Sequence, residues 1–410
     1  MQKNSMNLEA LRSKFLIFKQ QIHGYPFIYF DSAATAQVPV EVVEAMTQYY
    51  LTYKANIGRG IYTYAEDATR EYEKARATVA TFIGAESGQI VFTSGATESI
   101  NVVAQSWALH NLKQGDEIMV SAVEHNSNFV PWHEIALRLG CVIKIVPVTQ
   151  HGIIDYDAFK QLLSPKTKLV SIVHTSNVVG GTNDIKRIAR MAHDVGAVIL
   201  VDASQSVAHQ AIDVQDMDCD FLVFSGHKLY GPTGIGVLYS RVDCIEKMKP
   251  SCFGGGMVLS LESDMAKYRP YPYGFEAGTP NVAGAIGLSA AIDFVQSNIV
   301  FDELQKHETL LVRRMVQGLK EIAGVQILSA DPDLSDAHMH LVTFVAQGYH
   351  AHDIAAYLDK YGIAVRAGNH CVQIRDDKST VVASVRVSFA AYNSQQEVEF
   401  FLKILKQLFV

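Results

Sequence analysis

"FSGHKLYGPTGIGVLY", residues 224–239, sets a lysine between two apolar runs. Phe221-Leu222-Val223-Phe224 and Ile235-Gly236-Val237-Leu238-Tyr239 both have the pattern of buried strands. Lys228 falls in the polar knuckle between them, flanked by Ser225, Gly226 and His227. Most lysines lie exposed in loops. An amine held this close to two buried strands needs a chemical reason.

Five further β-branched runs repeat the pattern: "IVFTS", "EIMVSA", "VIKIVPV", "LVSIVHTS" and "AVILVDAS". Amphipathic stretches lie between several of them. In "DIKRIARMAHDVG", Ile185, Ile188, Ala189 and Ala192 share one helical face. Strands buried on both faces and joined by helices predict an α/β sheet, mostly parallel. After about residue 290 a long helical pattern leads into "VQILSA", "HLVTFVAQG", "AHDIAAYLDKYG", "SVRVSFA" and a last helix. That change predicts a second, smaller α+β domain. The expected division is 1–27 packing with the small domain, 28–290 large, and 291–410 small.

The 410 residues are 49% hydrophobic and 19% charged, as in a folded globular chain. A net charge of -7 argues against nucleic acid or an anionic membrane as partner. The opening stretch lacks the apolar core of a signal peptide, and no later run is long enough to span a bilayer. Five scattered cysteines without a C-x-x-C pair fit free thiols in a reducing cytoplasm.

The ends of the strands carry the chemistry. Asp202 and Gln205 follow "ILVDASQS", His125 follows "VSAVEHNSN", and His174 and Asn177 follow "VHTSNVVGG". Gly95-Ala96-Thr97 opens a helix after "IVFTS". Singly, Asp202 and Thr97 have the bland reading of helix caps and His125 that of a satisfied loop histidine. Together they suit pyridoxal phosphate. Its aldehyde needs an amine, which Lys228 supplies. Its ring nitrogen needs a carboxylate, Asp202, to stay protonated. Its phosphate suits the amides of a helix N-terminus with the hydroxyls of Thr97 and Ser225. His125 can stack on the ring, and Gln205 can hydrogen-bond the phenolic oxygen.

"DFLVFSGHKLYGPTGIGVLY" resembles the lysine signature of class V pyridoxal-phosphate aminotransferases. "YFDSAATAQVP", "TSGATESIN", "EHNSN", "VDASQS" and "EAGTPNVAG" resemble, in order, the segments of that family's cysteine desulfurases. The likeness runs from about Ile28 to the C-terminus. It implies fold type I, with a mostly parallel seven-stranded sheet in the large domain, a small C-terminal domain, and a homodimer. It also implies cofactor contacts at Ala96, Thr97, His125, Asp202, Gln205, Ser225, His227 and Lys228, with Thr279 reaching the partner subunit's phosphate.

"GIAVRAGNHCVQ" discriminates the reaction. It is similar to the segment carrying the nucleophile in group II cysteine desulfurases, the SufS and CsdA type. The likeness implies that Cys371 takes sulfur from L-cysteine as a persulfide, with His125 as acid/base. Arg386 and Asn177 hold the substrate carboxylate, and Arg366 and His370 favour the thiolate. A planar guanidinium fork suits a carboxylate. Asn369, where that family has histidine, and Val372-Gln373-Ile374 with the charged 375–380 segment depart from the pattern. The alternatives are selenocysteine lyase, an aminotransferase or epimerase in which Cys371 is incidental, and a sulfur-carrier scaffold without turnover. A sulfur-acceptor protein is the further partner implied. Its identity, and whether it serves iron–sulfur cluster assembly, are not written in the sequence. The other four cysteines are expected to be buried apolar side chains. His338/His340 and His350/His352, each pair sharing a strand face if extended, lack a third metal ligand, so no metal is expected.

Overall fold

The computed structural model describes residues 6–58, 60–149, 152–262, 265–330, 338–372 and 383–409. All seven apolar runs form strands of one sheet. In chain order they are β1 (Ile90–Thr93), β2 (Glu117–Ser121), β3 (Val142–Val146), β4 (Thr167–Val173), β5 (Val198–Asp202), β6 (Phe221–Ser225) and β7 (Gly236–Ser240). Their spatial order is β1-β7-β6-β5-β4-β2-β3. Strands β2 to β6 pair in parallel, while β7 runs antiparallel to both neighbours. The reason lies in the knuckle around Lys228. Its few residues cannot hold the crossover that a parallel return needs, so β7 folds straight back.

Helices cover both faces. The helix Ile185–His193 buries Ile185, Ile188, Ala189 and Ala192, the stripe its periodicity predicted. Asp184 caps it by accepting from the Arg187 amide. Among the described residues no single helix is long and apolar enough to cross a membrane. The apolar helix Val282–Asn298 is mostly buried and turns by 85° into the next, Phe301–Lys320.

A second core forms around a four-stranded antiparallel sheet, in the order Val325–Ile327, Leu341–Ala346, Ser384–Ser388, Arg366–Gly368. The helices Ala351–Asp359 and Gln395–Gln407 accompany it, the latter opened by a Ser394/Glu397 capping box. His350 accepts from the His352 amide as the cap of the first helix, so the extended arrangement expected for that pair does not form. Ile28–Tyr29 pairs in parallel with Ile363–Ala364, and Ile28 and Phe30 belong to this second core. The expected boundary near 290 falls inside the continuous helix Val282–Asn298, which packs in the first core. Arg12 binds the Tyr392 carbonyl and Glu397, and Phe15 meets Phe294 and Tyr392 edge-on, so the N-terminal segment bridges both cores.

Gly236 brings β7 against the turn that opens the helix Ala96–Val103. A Cβ there would lie 2.4 Å from the Gly95 Cα and 2.7 Å from its N and C. Backbone cannot yield as a side chain does. Gly236→Ala should therefore lower stability by about 2 kcal/mol, a typical overpacking cost. Thermal melts should show the loss, and cofactor retention should fall with it because the 95–97 turn is displaced.

Candidate active site

The carboxyl ends of β4, β5 and β6 open onto one cavity. It is lined by Ala96, Thr97, His125, Asn177, Asp202, Gln205, Ser225, His227, Lys228, Arg366, Cys371 and Arg386. With His370, which also lines it, thirteen of the fourteen residues given a site role from sequence converge. Thr279 does not. It lines a separate groove with Arg269, Tyr273 and Glu276. Glu276 anchors that groove to β1: it pairs with buried Arg76 at 2.6 Å and accepts from the Phe92 amide at 2.8 Å.

Lys228 ends the single turn Gly226–Lys228 that follows β6. The Gly226 amide donates to the Ile235 carbonyl and the Gly231 amide to the Gly226 carbonyl, closing the knuckle. Burial pushes the Lys228 amine below its ordinary pKa, with Asp202 and Cys371 pulling the other way. His227 is lowered to about 4 by burial and by Lys228. The His227 carbonyl accepts from the Ala36 amide and from Thr35 Oγ1, which ties the "SAAT" segment to the lysine turn.

Asp202 is nearly buried at the end of β5, and its Oδ1 accepts from the Ser204 amide. At the mouth of the helix Ala96–Val103, the Ala96 amide donates to Ser225 Oγ at 2.8 Å. Thr97 Oγ1 and Ser127 Oγ lie 2.7 Å apart. His125 Nδ1 accepts from the Ser127 amide, so the neutral ring carries its proton on Nε2. Burial, with Lys228, holds the imidazole below its ordinary pKa. The loop is staked by buried Glu124, which accepts from Ser121 Oγ, Asn128 Nδ2 and the Val173 amide.

Arg386 is buried, donating from Nη2 to Asp31 at 2.9 Å and from Nη1 to the Asn177 carbonyl at 3.0 Å. Sequence reasoning gave Asp31 no role, although "YFDSAAT" carried it. Asn177 Nδ2 donates to the His370 carbonyl at 2.8 Å. Asn177 Oδ1, Arg386 Nε, Ser204 Oγ and His370 Nδ1 are buried without a partner among the described residues. Four such atoms around one cavity mark a site built to bind something polar.

Cys371 sits in the left-handed region at φ 59°, after His370 at φ 53°. Neither residue is glycine, and such conformations persist only where neighbours impose them. The Asn126 amide donates to the Cys371 carbonyl at 2.8 Å, and the Cys371 amide donates to Asn369 Oδ1 at 3.2 Å. Asn369, the departure from the family pattern, thus caps the turn that presents the thiol. Gln373, Ile374 and residues 375–380 lie outside the described residues. Arg366 Nη2 is 3.7 Å from the Cys371 sulfur. His370 does not share the positive role expected of it. Burial and the two arginines lower its pKa to about 3, and its Nε2 lies 2.9 Å from Ser384 Oγ.

One other expectation needs correction. Cys219 and Cys244 are buried, but Cys252 is exposed and Cys141 only partly covered, since both lie where apolar runs end. His338 Nε2 binds Glu308 and His340 Nε2 binds Gln205, so both are engaged in hydrogen bonds.

The residues present fit pyridoxal phosphate: an amine of lowered pKa, a buried carboxylate, and a helix mouth lined with hydroxyls. This is the architecture of the class V aminotransferases. The model of that family, "Aminotransferase class-V", matches residues 28–401, and the chain belongs to it. Within the family it is similar to a probable cysteine desulfurase of Halalkalibacterium halodurans, 42% identical over 98% of each chain. A probable cysteine desulfurase of Vibrio cholerae is 42% identical over 96% of each. Among solved structures, the apo cysteine desulfurase of Thermococcus onnurineus superposes with a TM-score of 0.92 at 37% identity, covering 100% of this chain and 99% of that one. The cysteine desulfurase CsdA of Escherichia coli gives 0.91 at 37% identity, covering 99% and 100%.

The two neighbours of the thiol should separate experimentally. Arg366→Gln should slow alkylation of Cys371 at neutral pH about tenfold, since a hydrogen bond to a charged group is worth about 1.5 kcal/mol. His370→Gln should leave that rate unchanged. His370 should instead show in stability. Unfolded, it binds a proton below about pH 6.5, whereas folded it does so only near pH 3. Acidification from pH 7 to 5 therefore favours unfolding at this residue, and the melting-point drop over that range should be smaller in His370→Gln.

Proposed function

We propose that this chain is a pyridoxal-phosphate-dependent cysteine desulfurase that converts L-cysteine to L-alanine and leaves a persulfide on Cys371. The observation that carries the reading is the convergence of three groups on one cavity: the Lys228 amine, the buried Arg386 fork, and the Cys371 thiol beside Arg366. Bound pyridoxal phosphate supplies the electron sink that lets a Cα proton leave. Lys228 holds that group and, once freed, moves the Cα proton. Asp202 supplies the negative charge for the ring nitrogen. Ala96, Thr97, Ser225 and His227 hold the phosphate end, and Gln205 the phenolic oxygen.

Arg386 takes the substrate carboxylate on the part of its fork that Asp31 and the Asn177 carbonyl leave open. Asn177 contributes the amide hydrogen not committed to His370. The Cys371 thiolate, held by Arg366, attacks the substrate sulfur. The S–S bond forms as the C–S bond breaks, and its electrons remain with the carbon fragment, which becomes alanine by taking up a proton at Cβ and recovering the Cα proton from Lys228. His125 stacks on the cofactor and holds a proton at Nε2. It serves as acid/base only by giving up the Ser127 cap.

We read the active form as a homodimer. The hairpin Val258–Leu261/Ala266–Tyr268 rises between Gly256 and Arg269, both in the Thr279 groove, and exposes Leu259 and Leu261. A second copy would cover that apolar surface and bring Thr279 to its neighbour's cofactor. The persulfide then passes to an acceptor protein of iron–sulfur or other thio-cofactor assembly in the cytoplasm. The domain division we propose counts Ile28 and Phe30 with the small domain, as their packing supports, while Tyr29 between them faces the first core.

Cys371→Ser should retain the cofactor and bind L-cysteine, because Lys228, Asp202 and Arg386 are untouched. It should release almost no sulfide, since an alcohol supplies little anion at neutral pH. Mass spectrometry of the unaltered protein after brief exposure to L-cysteine should find one added sulfur on the Cys371 peptide, with buried Cys219 and Cys244 as unmodified controls. Sulfide release by Cys371→Ser at the original rate would overturn the reading.

A further inference from the structure

Behind the cavity wall lies a buried polar chain that the proposed reaction does not use. His340 Nε2 is 3.2 Å from Gln205 Oε1. The His340 ring stacks on His209, with centroids 3.9 Å apart. His209 Nδ1 and His338 Nε2 bind the two oxygens of Glu308, at 2.9 and 2.7 Å. Glu308 and His340 are fully buried. His340 does not line the cavity, whereas Gln205 does.

The donors and acceptors along this chain can be assigned by elimination. Gln205 Nε2 lies 2.8 Å from the Ala33 carbonyl, which only accepts. The amide therefore cannot be flipped: its NH2 faces Ala33 and its oxygen faces His340. That oxygen needs a donor, so His340 carries its proton on Nε2. The remaining ring nitrogen, Nδ1, is a bare lone pair, and it is buried with no partner among the described residues. Burial holds the ring neutral, in keeping with this tautomer. With one amide hydrogen committed to Ala33, the other is the one Gln205 can offer to a ligand.

We propose that His340 is a positioning residue for the cofactor, acting through Gln205. Its Nε2–H and the Ala33 carbonyl together clamp the Gln205 amide, so that an N–H donor and never the oxygen is available to the phenolic oxygen of pyridoxal phosphate. Removing the His340 donor frees the amide to rotate and leaves Gln205 Oε1 buried without a partner. The inference rests on the pyridoxal-phosphate reading of the cavity.

Absorption spectra of cofactor-loaded protein test it without reference to turnover. Gln205→Leu should displace the visible band by removing the donor outright. His340→Phe keeps a ring against His209 but has no donor, so it should displace the band in the same direction. It should also speed cofactor loss on dialysis about fivefold, the worth of one hydrogen bond of about 1 kcal/mol. His340→Gln restores an N–H near the lost one and should recover the original spectrum, which separates loss of the donor from loss of packing. The double variant His340→Phe/Gln205→Leu should shift no further than Gln205→Leu alone. An unshifted band in His340→Phe, additive shifts, or no effect of Gln205→Leu would overturn the inference. Absence of any visible band or borohydride-fixed label on Lys228 in the unaltered protein would instead overturn the cofactor reading on which it rests.

Discussion

The buried guanidinium of Arg386 constrains how the two cores meet. A charge so thoroughly removed from water is tolerable only where its neighbours replace its hydration. Its register partner in the adjoining strand makes matters worse, because Arg366 pairs directly across from it. Like charges opposed on one sheet repel. Asp31 supplies the compensation at 2.9 Å, and the Asn177 carbonyl takes a second hydrogen. Burial pushes the Asp31 carboxyl above its ordinary pKa, and Arg386 offsets only part of that rise. Asp31 reaches Arg386 because Ile28–Tyr29 pairs with Ile363–Ala364 and the Phe30 carbonyl accepts from the Ser388 amide. An N-terminal strand, a large-domain loop and a small-domain strand are thereby held to one charge.

The cavity follows from that junction. The parallel strands deliver Asp202, Asn177 and the lysine turn from one side, and the small sheet delivers two arginines and a thiol from the other. Surrounding imidazoles are kept neutral by burial: His227 near 4 and His370 near 3. The positive charge is therefore concentrated on Arg366, Arg386 and Lys228 rather than spread over the histidines. An anionic substrate meets fixed, directional donors, and the thiol has one close guanidinium partner.

Much of this was legible in the sequence because burial on both faces leaves a strong mark. Seven apolar runs became the seven strands, the edge strand β3 with Lys144 being the least buried, and polar residues just beyond the strand ends became the cavity wall. What periodicity cannot carry is strand direction. That β7 runs antiparallel followed from the shortness of the Lys228 knuckle. Asp31 was visible only as part of a motif, since its partner lies more than three hundred residues away in the chain. Apolar neighbours in sequence misjudged Cys252, which is exposed because its run ends in a turn. Thr279 stands apart from the cavity of its own chain, and a single sequence has no term for a second copy. For His338 and His340 the sequence argued only against a metal; their partners, Glu308 and Gln205, are distant in sequence and determine what those rings do.

The placement of Cys371 has a further consequence. A nucleophile on a sheet strand would be held at one distance from the lysine. Cys371 instead sits on a turn of two left-handed residues, fastened to the large domain through the Asn126 amide and the Asn177 side chain. Its own amide is capped by Asn369 and the His370 ring is held by Ser384, so the backbone strain is offset close to where it arises. Histidine at 369 could accept that amide only through a neutral Nδ1, as His125 accepts from the Ser127 amide, whereas the Asn369 carboxamide oxygen accepts at any pH. The thiol is also only half-buried. In the proposed reaction it must meet a bound substrate on one side and hand sulfur to a protein on the other, and neither a buried thiol nor a fully exposed one satisfies both. A firmly capped turn at the cavity mouth satisfies them together, because the sulfur can face two ways while its backbone stays fixed.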